Sequence, residues 1–235
     1  MNLFSDLFPI FKKYQVEFQE SYKEIGDIHT FIFKSPELIN WKAGQHGIFT
    51  VNHIKMKNAT RPFSIASIPS EGHIKISMKI GEKPSDFKRA LISLTPGMKV
   101  SMRGPIGSLY PTSQKPLLFI AGGIGITPYR ALVKDLLSRP ATMPNDVKLL
   151  YLSSQSEFIY KEEFESASME TPIKANYLVN RDQLSAEVEH FITLYKNDAE
   201  YFIVGPKPLT SSLETLLKNK GINKKMIKKD IFIGY

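Results

Sequence analysis

Three glycines between a short apolar run and a helix-like pattern give this sequence its clearest chemical signal. The apolar run is Leu117 to Ala121, the glycines lie within Gly122 to Gly125, and Thr127 and Pro128 follow. Glycine lets a backbone approach a bulky anion closely, and a helix start offers unpaired N–H groups and a positive dipole end. Thr127 suits the helix cap and Pro128 the first helical position. This order predicts a pyrophosphate site, with a ligand-free turn as the alternative because the spacing departs from G-x-G-x-x-G.

The residue types exclude or disfavour several other chemistries. The sequence contains no cysteine, which excludes disulfides, thiol catalysis and cysteine-ligated iron–sulfur clusters within these 235 residues. The five histidines are scattered without ligand-like spacing, so we expect no metal site. The net charge of +8 suits phosphorylated cofactors, nucleic acid, anionic lipid or an acidic protein. The densest basic run, Lys218 to Lys229, lacks interleaved aromatic residues and indicates a solvated face rather than a nucleic-acid platform.

Membrane and export signals are weak throughout the sequence. No apolar run approaches the roughly 20 residues that cross a bilayer. The apolar residues of Met1 to Ile10 have no preceding basic region, and Asp6 and Pro9 interrupt them. We therefore expect no signal peptide, no membrane span and a cytoplasmic location, with this segment as a short helix or arm over a core.

The elements of the first half are mostly short strands. Strand patterns cover Asp27 to Lys34, His46 to Val51, His73 to Ile80 and Met98 to Met102, and one helix is predicted from about Pro84 to Leu94. Strands at this spacing, with little helix between them, favour a small antiparallel barrel.

The second half alternates strands with helices from about Pro116 onward. The run Leu117 to Ala121 is typical of a strand buried on both faces, and a helix with an apolar stripe follows it. Gly221 suits the cap of the last predicted helix. Alternation of this kind predicts a parallel sheet with helices on both faces. We place the barrel at residues 1–113 and the α/β domain at residues 114–235. The predicted strands are Val147 to Leu152, Lys174 to Val179, Tyr201 to Val204 and Ile231 to Ile233, and the helices are Tyr160 to Ser168, Ser185 to Tyr195 and Pro208 to Lys220.

A second motif makes the glycine turn far more specific. Arg61-Pro62-Phe63-Ser64 comes just after a strand pattern, about sixty residues before Gly122. With both motifs in this order, the chain resembles the ferredoxin–NADP reductase superfamily over nearly its whole length. The resemblance implies an N-terminal antiparallel six-stranded Greek-key β-barrel and a C-terminal α/β parallel-sheet nucleotide-binding domain. Further matching segments are Ala43-Gly44-Gln45-His46, Gly104-Pro105-Ile106-Gly107, Gly205-Pro206 and Phe232-Ile233-Gly234-Tyr235.

The resemblance implies that the barrel binds FAD. Arg61 would pair with the flavin pyrophosphate, where a guanidinium fork suits two phosphate oxygens. Phe63 would lie against the isoalloxazine ring, and Ser64 would hydrogen-bond near flavin N5. Many relatives carry tyrosine where Phe63 stands, so one polar contact to the flavin is lost here. Ser85 would face the phosphates or simply cap a helix, and Lys79 is a further candidate at this site.

The same resemblance implies that the α/β domain binds NADPH or NADH as electron donor. Thr127 and the turn Gly205-Pro206 would border the nicotinamide, with Ser64 and Thr127 aligning hydride transfer. Asn180-Arg181 would meet the 2′-phosphate of NADPH, with a plain surface arginine as the alternative. The implied cofactor-binding residues are Arg61, Pro62, Phe63, Ser64, Lys79, Ser85, Gly122, Gly123, Gly125, Thr127, Pro128, Asn180, Arg181, Gly205, Pro206 and Tyr235, the last either shielding the flavin or packing a terminal strand.

These expectations define an FAD-dependent oxidoreductase that passes electrons onward from NAD(P)H. The acceptor would be separate from this chain: a ferredoxin, a flavodoxin, a partner subunit or a small oxidant. The basic charge suits an acidic electron carrier. Three alternatives stay open, namely a non-enzymatic flavin or nucleotide sensor, an electron-transfer subunit of a larger complex, and a basic nucleic-acid-binding protein.

Overall fold

The chain forms two compact units, Met1–Tyr110 and Pro111–Tyr235. The computed structural model describes residues 11–36 and 39–232. The division falls shortly before residue 113, where the sequence places the end of the barrel. Each unit contains its own sheet.

The first unit is a six-stranded antiparallel sheet within the described residues, with strand order β4-β3-β6-β1-β2-β5. Beyond the end of β4, the Ala66 N–H donates to the Lys75 carbonyl on β5 at 2.8 Å. This bond joins the two ends of the strand order, as a closed barrel requires. The elements are β1 Lys13–Ile25, β2 Ile28–Lys34, β3 His46–Thr50, β4 Thr60–Ser64, β5 His73–Lys79, α1 Asp86–Ile92 and β6 Lys99–Ile106.

The core of the barrel follows from strand alternation. Ile74, Ile76 and Met78 point to one side of β5 and are buried, as the sequence pattern predicts. They belong to an apolar cluster that also contains Phe33 and Phe49, whose rings lie 5.8 Å apart. Aromatic pairs of this kind add stability beyond the area that they bury.

Two strands differ from the sequence expectation. The sequence patterns contain no strand at β1, because only its first half alternates: Val16 and Phe18 are buried, whereas Glu20 to Lys23 are exposed. Pairing with β6 on one side and β2 on the other forms this strand despite its polar sequence. The motif Arg61 to Ser64 follows the strand β3, as expected, and itself forms the strand β4, which the strand patterns did not include. Pro62 fits there because Thr60–Ser64 pairs with β3 on one side, and the bond that joins this strand's end to β5 lies beyond the span, so no ladder bond from Pro62 is needed on the other side.

The second unit is a five-stranded parallel sheet with strand order β11-β10-β7-β8-β9. Every residue of β7 is buried, as expected for a central strand covered on both faces. None of the helices in the described ranges has the length and hydropathy needed to span a membrane. The elements are β7 Leu117–Gly122, α2 Thr127–Ser138, β8 Val147–Leu152, α3 Lys161–Glu170, β9 Ile173–Leu178, α4 Arg181–Tyr195, β10 Glu200–Pro206, α5 Lys207–Asn219 and β11 Ile227–Phe232.

The predicted cap at the end of α5 is confirmed. Gly221 has φ +82°, and no atom lies within 4 Å of the place where a Cβ would stand. The Ile222 N–H donates to the Leu217 carbonyl at 3.0 Å, which closes the helix in the usual glycine-dependent way.

A buried carboxylate ties the segment that leads into β7 to the strands β10 and β11. Glu200 accepts hydrogen bonds from the Ser113 hydroxyl at 2.5 Å and from Lys228 Nζ at 2.8 Å. Burial alone would raise the pKa of Glu200, but the bonds from Lys228 and Ser113 hold that pKa below the ordinary carboxylate value. The native state therefore favours the ionised form.

We predict that Glu200→Gln destabilises the second unit in a pH-dependent way. Breaking a buried ion pair costs roughly 3 kcal/mol, so a loss of about that size is expected at pH 7. Since folding lowers the pKa, this stability is present above the usual carboxylate pKa of about 4.3. It is lost as pH falls through the lower pKa of the folded state, where the gap between wild type and variant should close.

Urea unfolding at pH 7 and in acid measures this effect. The control is Asp135→Asn, which breaks the exposed Asp135–Arg139 pair and should cost less than about 1 kcal/mol. Equal losses for the two variants at pH 7 would contradict the role assigned to Glu200.

Candidate functional site

Arg61 and Phe63 meet above the first turn of α1. They are two residues apart on β4 and so lie on the same face of the strand. The half-buried Phe63 ring stacks on Phe87 with a centroid distance of 5.8 Å and an interplanar angle of 26°. The exposed Arg61 guanidinium lies 5.8 Å from the same Phe87 ring. The Arg61 cation and the half-buried Phe63 ring are thus held against the same buried ring.

Ser85 brings a third candidate group to this place. Its hydroxyl accepts a hydrogen bond from the Lys88 N–H at 3.4 Å and caps α1, so the capping interpretation is confirmed. Ser85 comes two residues before Phe87, which places the start of α1 beside Arg61. A contact from Ser85 to phosphate stays a prediction.

Strand register places the segments that contain Gln45-His46 and Ile106-Gly107 next to Ser64. On β3, His46 is the partner of Ser64 on β4 and of Ile106 on β6. The Gln45 side-chain amide donates to the Gly107 carbonyl at 3.3 Å. Ser64 itself is buried, with 7% exposure. The sequence placed His46 in a segment that matches the superfamily but gave it no role, and the register shows that it lies opposite Ser64.

Gly123 and Gly125 have different structural roles in the second unit. Gly123 has φ +55°, a conformation that favours glycine, and its missing side chain would meet no atom within 4 Å. A Cβ on Gly125 would lie 2.5 Å from the Val204 carbonyl oxygen, so the turn packs directly on the backbone of β10. Gly123 therefore leaves open backbone for a ligand, and Gly125 allows the close packing that holds the turn.

The predicted cap of α2 is wrong. A short 3₁₀ turn, Gly123–Ile126, runs directly into α2, so Thr127 is a helical residue and Pro128 takes the second position. The Thr127 hydroxyl, 2% exposed, donates to the Ile124 carbonyl at 3.1 Å. Since the first N–H groups of a helical segment lack partners inside it, the free donors lie at the glycines instead of at Thr127.

Gly205 and Pro206 lie beside this turn. Gly205 stands near the carboxyl end of β10, and a Cβ there would be 3.2 Å from the Gly122 Cα. The strands β7 and β10 are neighbours, so the two turns meet at the carboxyl ends of the strands, where α/β proteins bind ligands. The second unit thus brings Gly122 to Thr127 together with Gly205-Pro206.

Asn180 and Arg181 lie beyond the carboxyl end of β9, which is the last strand at one side of the same sheet. The Asn180 side-chain oxygen accepts from the Gln183 N–H at 2.9 Å and caps α4. Arg181 is the first residue of that helix and is exposed. The cap occupies the Asn180 oxygen and leaves its amide N–H donors, so the contact of Asn180 and Arg181 with a 2′-phosphate stays a prediction.

Lys79 already has a charged partner within the barrel unit. Its Nζ lies 3.4 Å from Asp27 Oδ1, so this lysine forms an ion pair there. Tyr235 lies outside the described residues. Over residues 11–36 and 39–232, no three histidine, aspartate or glutamate side chains group as metal ligands.

The donors present fit two phosphate-bearing cofactors. Arg61 is exposed and donates one bond to the Thr60 carbonyl at 2.8 Å, while a guanidinium has five N–H donors in all. Phe63 offers part of an aromatic ring beside it. In the second unit, the half-buried Gly123 has open space on its side-chain position at the end of a parallel strand, where the first N–H groups of the following turn lack partners within it. These are the groups that a flavin diphosphate and a nicotinamide dinucleotide require.

Comparisons with known proteins agree with this arrangement. Residues 15–110 match the family described as "Oxidoreductase FAD-binding domain", and residues 119–215 match "Oxidoreductase NAD-binding domain". One subunit of the Na(+)-translocating NADH-quinone reductase of Neisseria gonorrhoeae is 28% identical over an alignment of 199 residues, and the match covers 74% of this chain and 49% of that protein. The corresponding protein of Klebsiella pneumoniae gives the same identity and coverage. The chain thus spans about half the length of the curated relatives it matches.

Solved structures share the fold at low sequence identity. Ferredoxin-NADP+ reductase from Plasmodium falciparum superposes with a TM-score of 0.83 at 16% identity, covering 97% of this chain and 99% of that one. The cytochrome b5 reductase domain of Ulva prolifera nitrate reductase gives a TM-score of 0.79 at 20% identity, covering 94% and 98%. These likenesses support the two-unit architecture described above.

The fold and the two matched domains define an FAD- and NAD(P)-binding oxidoreductase. The chain belongs to the ferredoxin–NADP reductase superfamily, as its motifs imply. FAD and a reduced nicotinamide nucleotide are its cofactors, so the sequence expectations of family, fold and cofactors are confirmed.

We predict that Gly125→Ala abolishes nucleotide binding while FAD stays bound. The added methyl group would overlap the Val204 carbonyl, and backbone cannot yield as a flexible side chain can. Calorimetric titration with NADP+ and NAD+ measures binding, and the visible absorbance gives the FAD content.

Gly221→Ala is the control for this substitution. It also places alanine in the second unit, at a positive φ in open surroundings, where the cost is about 1 kcal/mol of stability. Its nucleotide affinity should equal that of the wild type. Wild-type affinity in Gly125→Ala would show that the turn does not hold the nucleotide.

Proposed function

We propose that this chain accepts hydride from NADPH or NADH on its FAD and passes the electrons to a separate redox protein. The observation that carries the proposal is the meeting of Arg61, Phe63 and the capped start of α1 on one side of the barrel. A pyrophosphate next to an aromatic ring system is what these groups suit. The glycine turn of the other unit supplies the matching site for the donor nucleotide.

The residues of the barrel would bind and orient the flavin. Bound FAD supplies the acceptance of an electron pair and its onward release, singly or together. Arg61 would neutralise the diphosphate with charge-assisted bonds, and Phe63 would pack against the ring system. Ser64, buried at the end of β4, would hold a hydrogen bond at N5, with His46 as its cross-strand neighbour.

The residues of the α/β unit would hold the donor without covalent chemistry. Backbone N–H groups near Gly123 would bind the pyrophosphate, and the Thr127 hydroxyl, already oriented toward the Ile124 carbonyl, would offer its lone pairs toward the nicotinamide. Neither Thr127 nor Ser64 needs to act as a general base, because hydride transfer between two aligned rings depends on proximity.

The acceptor is proposed to be an acidic electron carrier or a partner subunit. The net charge of +8 would steer an acidic protein toward this chain. A partner subunit is favoured by the relatives whose names describe one subunit of an NADH-quinone reductase. An electron-transfer subunit of a larger complex is thus the second candidate function. A cytoplasmic location stays a prediction.

We predict that Arg61→Ala weakens FAD binding by at least about tenfold. Hydrogen bonds to charged groups contribute roughly 1.5–3 kcal/mol, and 1.4 kcal/mol corresponds to a factor of ten. The ratio of FAD to protein absorbance after gel filtration measures retention. Arg103→Ala removes an exposed arginine of β6 and should retain FAD fully. Full retention in both variants would remove Arg61 from the site.

We predict that Arg181→Ala lowers kcat/KM for NADPH by about tenfold and leaves NADH unchanged, since only NADPH carries a 2′-phosphate to pair with the guanidinium. Steady-state rates with ferricyanide as acceptor measure both donors. Lys174→Ala removes an exposed cation near the other end of β9 and should change neither rate. An unchanged NADPH to NADH ratio in Arg181→Ala would refute the contact.

A further inference from the structure

A buried arginine joins α2 to α3 close to the glycine turn. Arg130 is only 4% exposed, and its Nε donates to Glu163 Oε1 at 2.8 Å. Lys134 Nζ lies 3.0 Å from the other carboxylate oxygen of Glu163. The Arg130 guanidinium also lies 5.5 Å from the ring centroid of Tyr160, directly before α3. One side chain of α2 therefore contacts α3 by charge and by aromatic packing.

The ion pair holds Glu163 in its charged form. Burial alone would raise the pKa of Glu163, but the bonds and charges of Arg130 and Lys134 lower it below the ordinary carboxylate value. A buried pair of this kind is weak evidence for added stability, because desolvation offsets the attraction. What the pair provides is geometry, since a guanidinium beside both a carboxylate and a ring has little freedom to move.

The first turn of α3 is also held from its other side. The Tyr177 hydroxyl on β9 donates to the Lys161 carbonyl at 3.1 Å, and Lys161 Nζ lies 5.2 Å from the Tyr177 ring. Tyr160 adopts a left-handed backbone with φ +60° at this point. Such a conformation is uncommon outside glycine and persists only where its surroundings fix it. Contacts from α2 and β9 together fix the start of α3.

The first turn of α3 stands where the α/β unit would bind a nucleotide. The helices α2, α3 and α4 follow the strands β7, β8 and β9, so their first turns stand at the carboxyl edge of the sheet. Ligands of open α/β sheets bind along that edge. The start of α3 therefore lies between the glycine turn at Gly123 and the exposed Arg181. A dinucleotide that reaches from one to the other must pass it.

We propose that Arg130 is a positioning residue for the adenylate half of the nicotinamide nucleotide. Through Glu163 and Tyr160 it fixes the start of α3, and thereby Lys161 and Tyr177, at a set distance from the glycine turn. This inference rests on the proposed function, because it presupposes that the nucleotide binds along this edge. Arg130 itself touches neither the substrate nor the flavin in this proposal.

The test compares Glu163→Gln with a matched control. Glu187→Gln breaks the Lys148–Glu187 pair, which joins β8 to α4, and the glutamate exposures are alike at 30% and 33%. Lys148 is the second residue of β8, at the strand end away from the nucleotide edge. Calorimetric titrations with 5′-AMP and with 2′-phospho-AMP report the adenylate site directly, independent of turnover.

Glu163→Gln should weaken both AMP ligands about fivefold to tenfold and raise KM for NAD(P)H equally, with kcat and FAD content unchanged. Glu187→Gln should stay within about twofold of wild type in each affinity. Arg130→Lys keeps the charge but loses the planar fork, so it should match Glu163→Gln. The double variant should add little to either single change, because both remove one interaction.

Each outcome separates the inference from the proposed function. If the wild type binds neither AMP ligand nor NADPH nor NADH, the proposed function fails and the inference with it. If the wild type binds them and Glu163→Gln behaves like Glu187→Gln, the function stands and the positioning role is overturned. If Glu163→Gln does not fold, Arg130→Lys decides: wild-type AMP affinity there overturns the proposal, and the expected loss supports it.

Discussion

Close approach of two backbones at the carboxyl ends of β7 and β10 is the constraint on which the α/β unit depends. Gly125 packs on the Val204 carbonyl and Gly205 packs on Gly122, and neither glycine has space for a Cβ. This contact holds the 3₁₀ turn that starts at Gly123, whose first N–H groups have no partner within the turn. The site is therefore a consequence of packing between neighbouring parallel strands, and its donors need no side chain.

In the barrel, the candidate site residues are positioned by the register of the paired strands. The pairing of β3 with both β4 and β6 puts His46 opposite Ser64 and beside Ile106, although these residues are far apart in sequence. A shift of one residue would turn every side chain of β4 to the other face. Arg61 and Phe63 would then leave α1. The buried Phe49, paired with Arg61 across the strands, helps to keep this register.

Local pattern predicted much of this architecture, and its failures have physical causes. The alternation of apolar and polar residues in β5 and the apolar run of β7 are local patterns, so the sequence reveals both strands. The strand β1 is set by its two partners, which no local pattern contains. The cap expected at Thr127 failed because a 3₁₀ turn can precede a helix without a capping side chain. The Arg130–Glu163 pair joins residues 33 positions apart, and nothing local signals it.

In the proposed function the two units would meet the same chemical demand, a bound diphosphate, with different donors, and the difference would suit their roles. Arg61 offers a charged fork, whose bonds to an anion are stronger than those of neutral donors. Backbone N–H groups at Gly123 are neutral and individually weaker. A resident flavin benefits from the first kind of contact, since it must survive many turnovers. A nucleotide that binds and leaves in every cycle benefits from the second, because weaker contacts on a rigid turn favour rapid release. The distribution of charge and glycine between the units is thus what a tightly held cofactor and an exchanging substrate would each require.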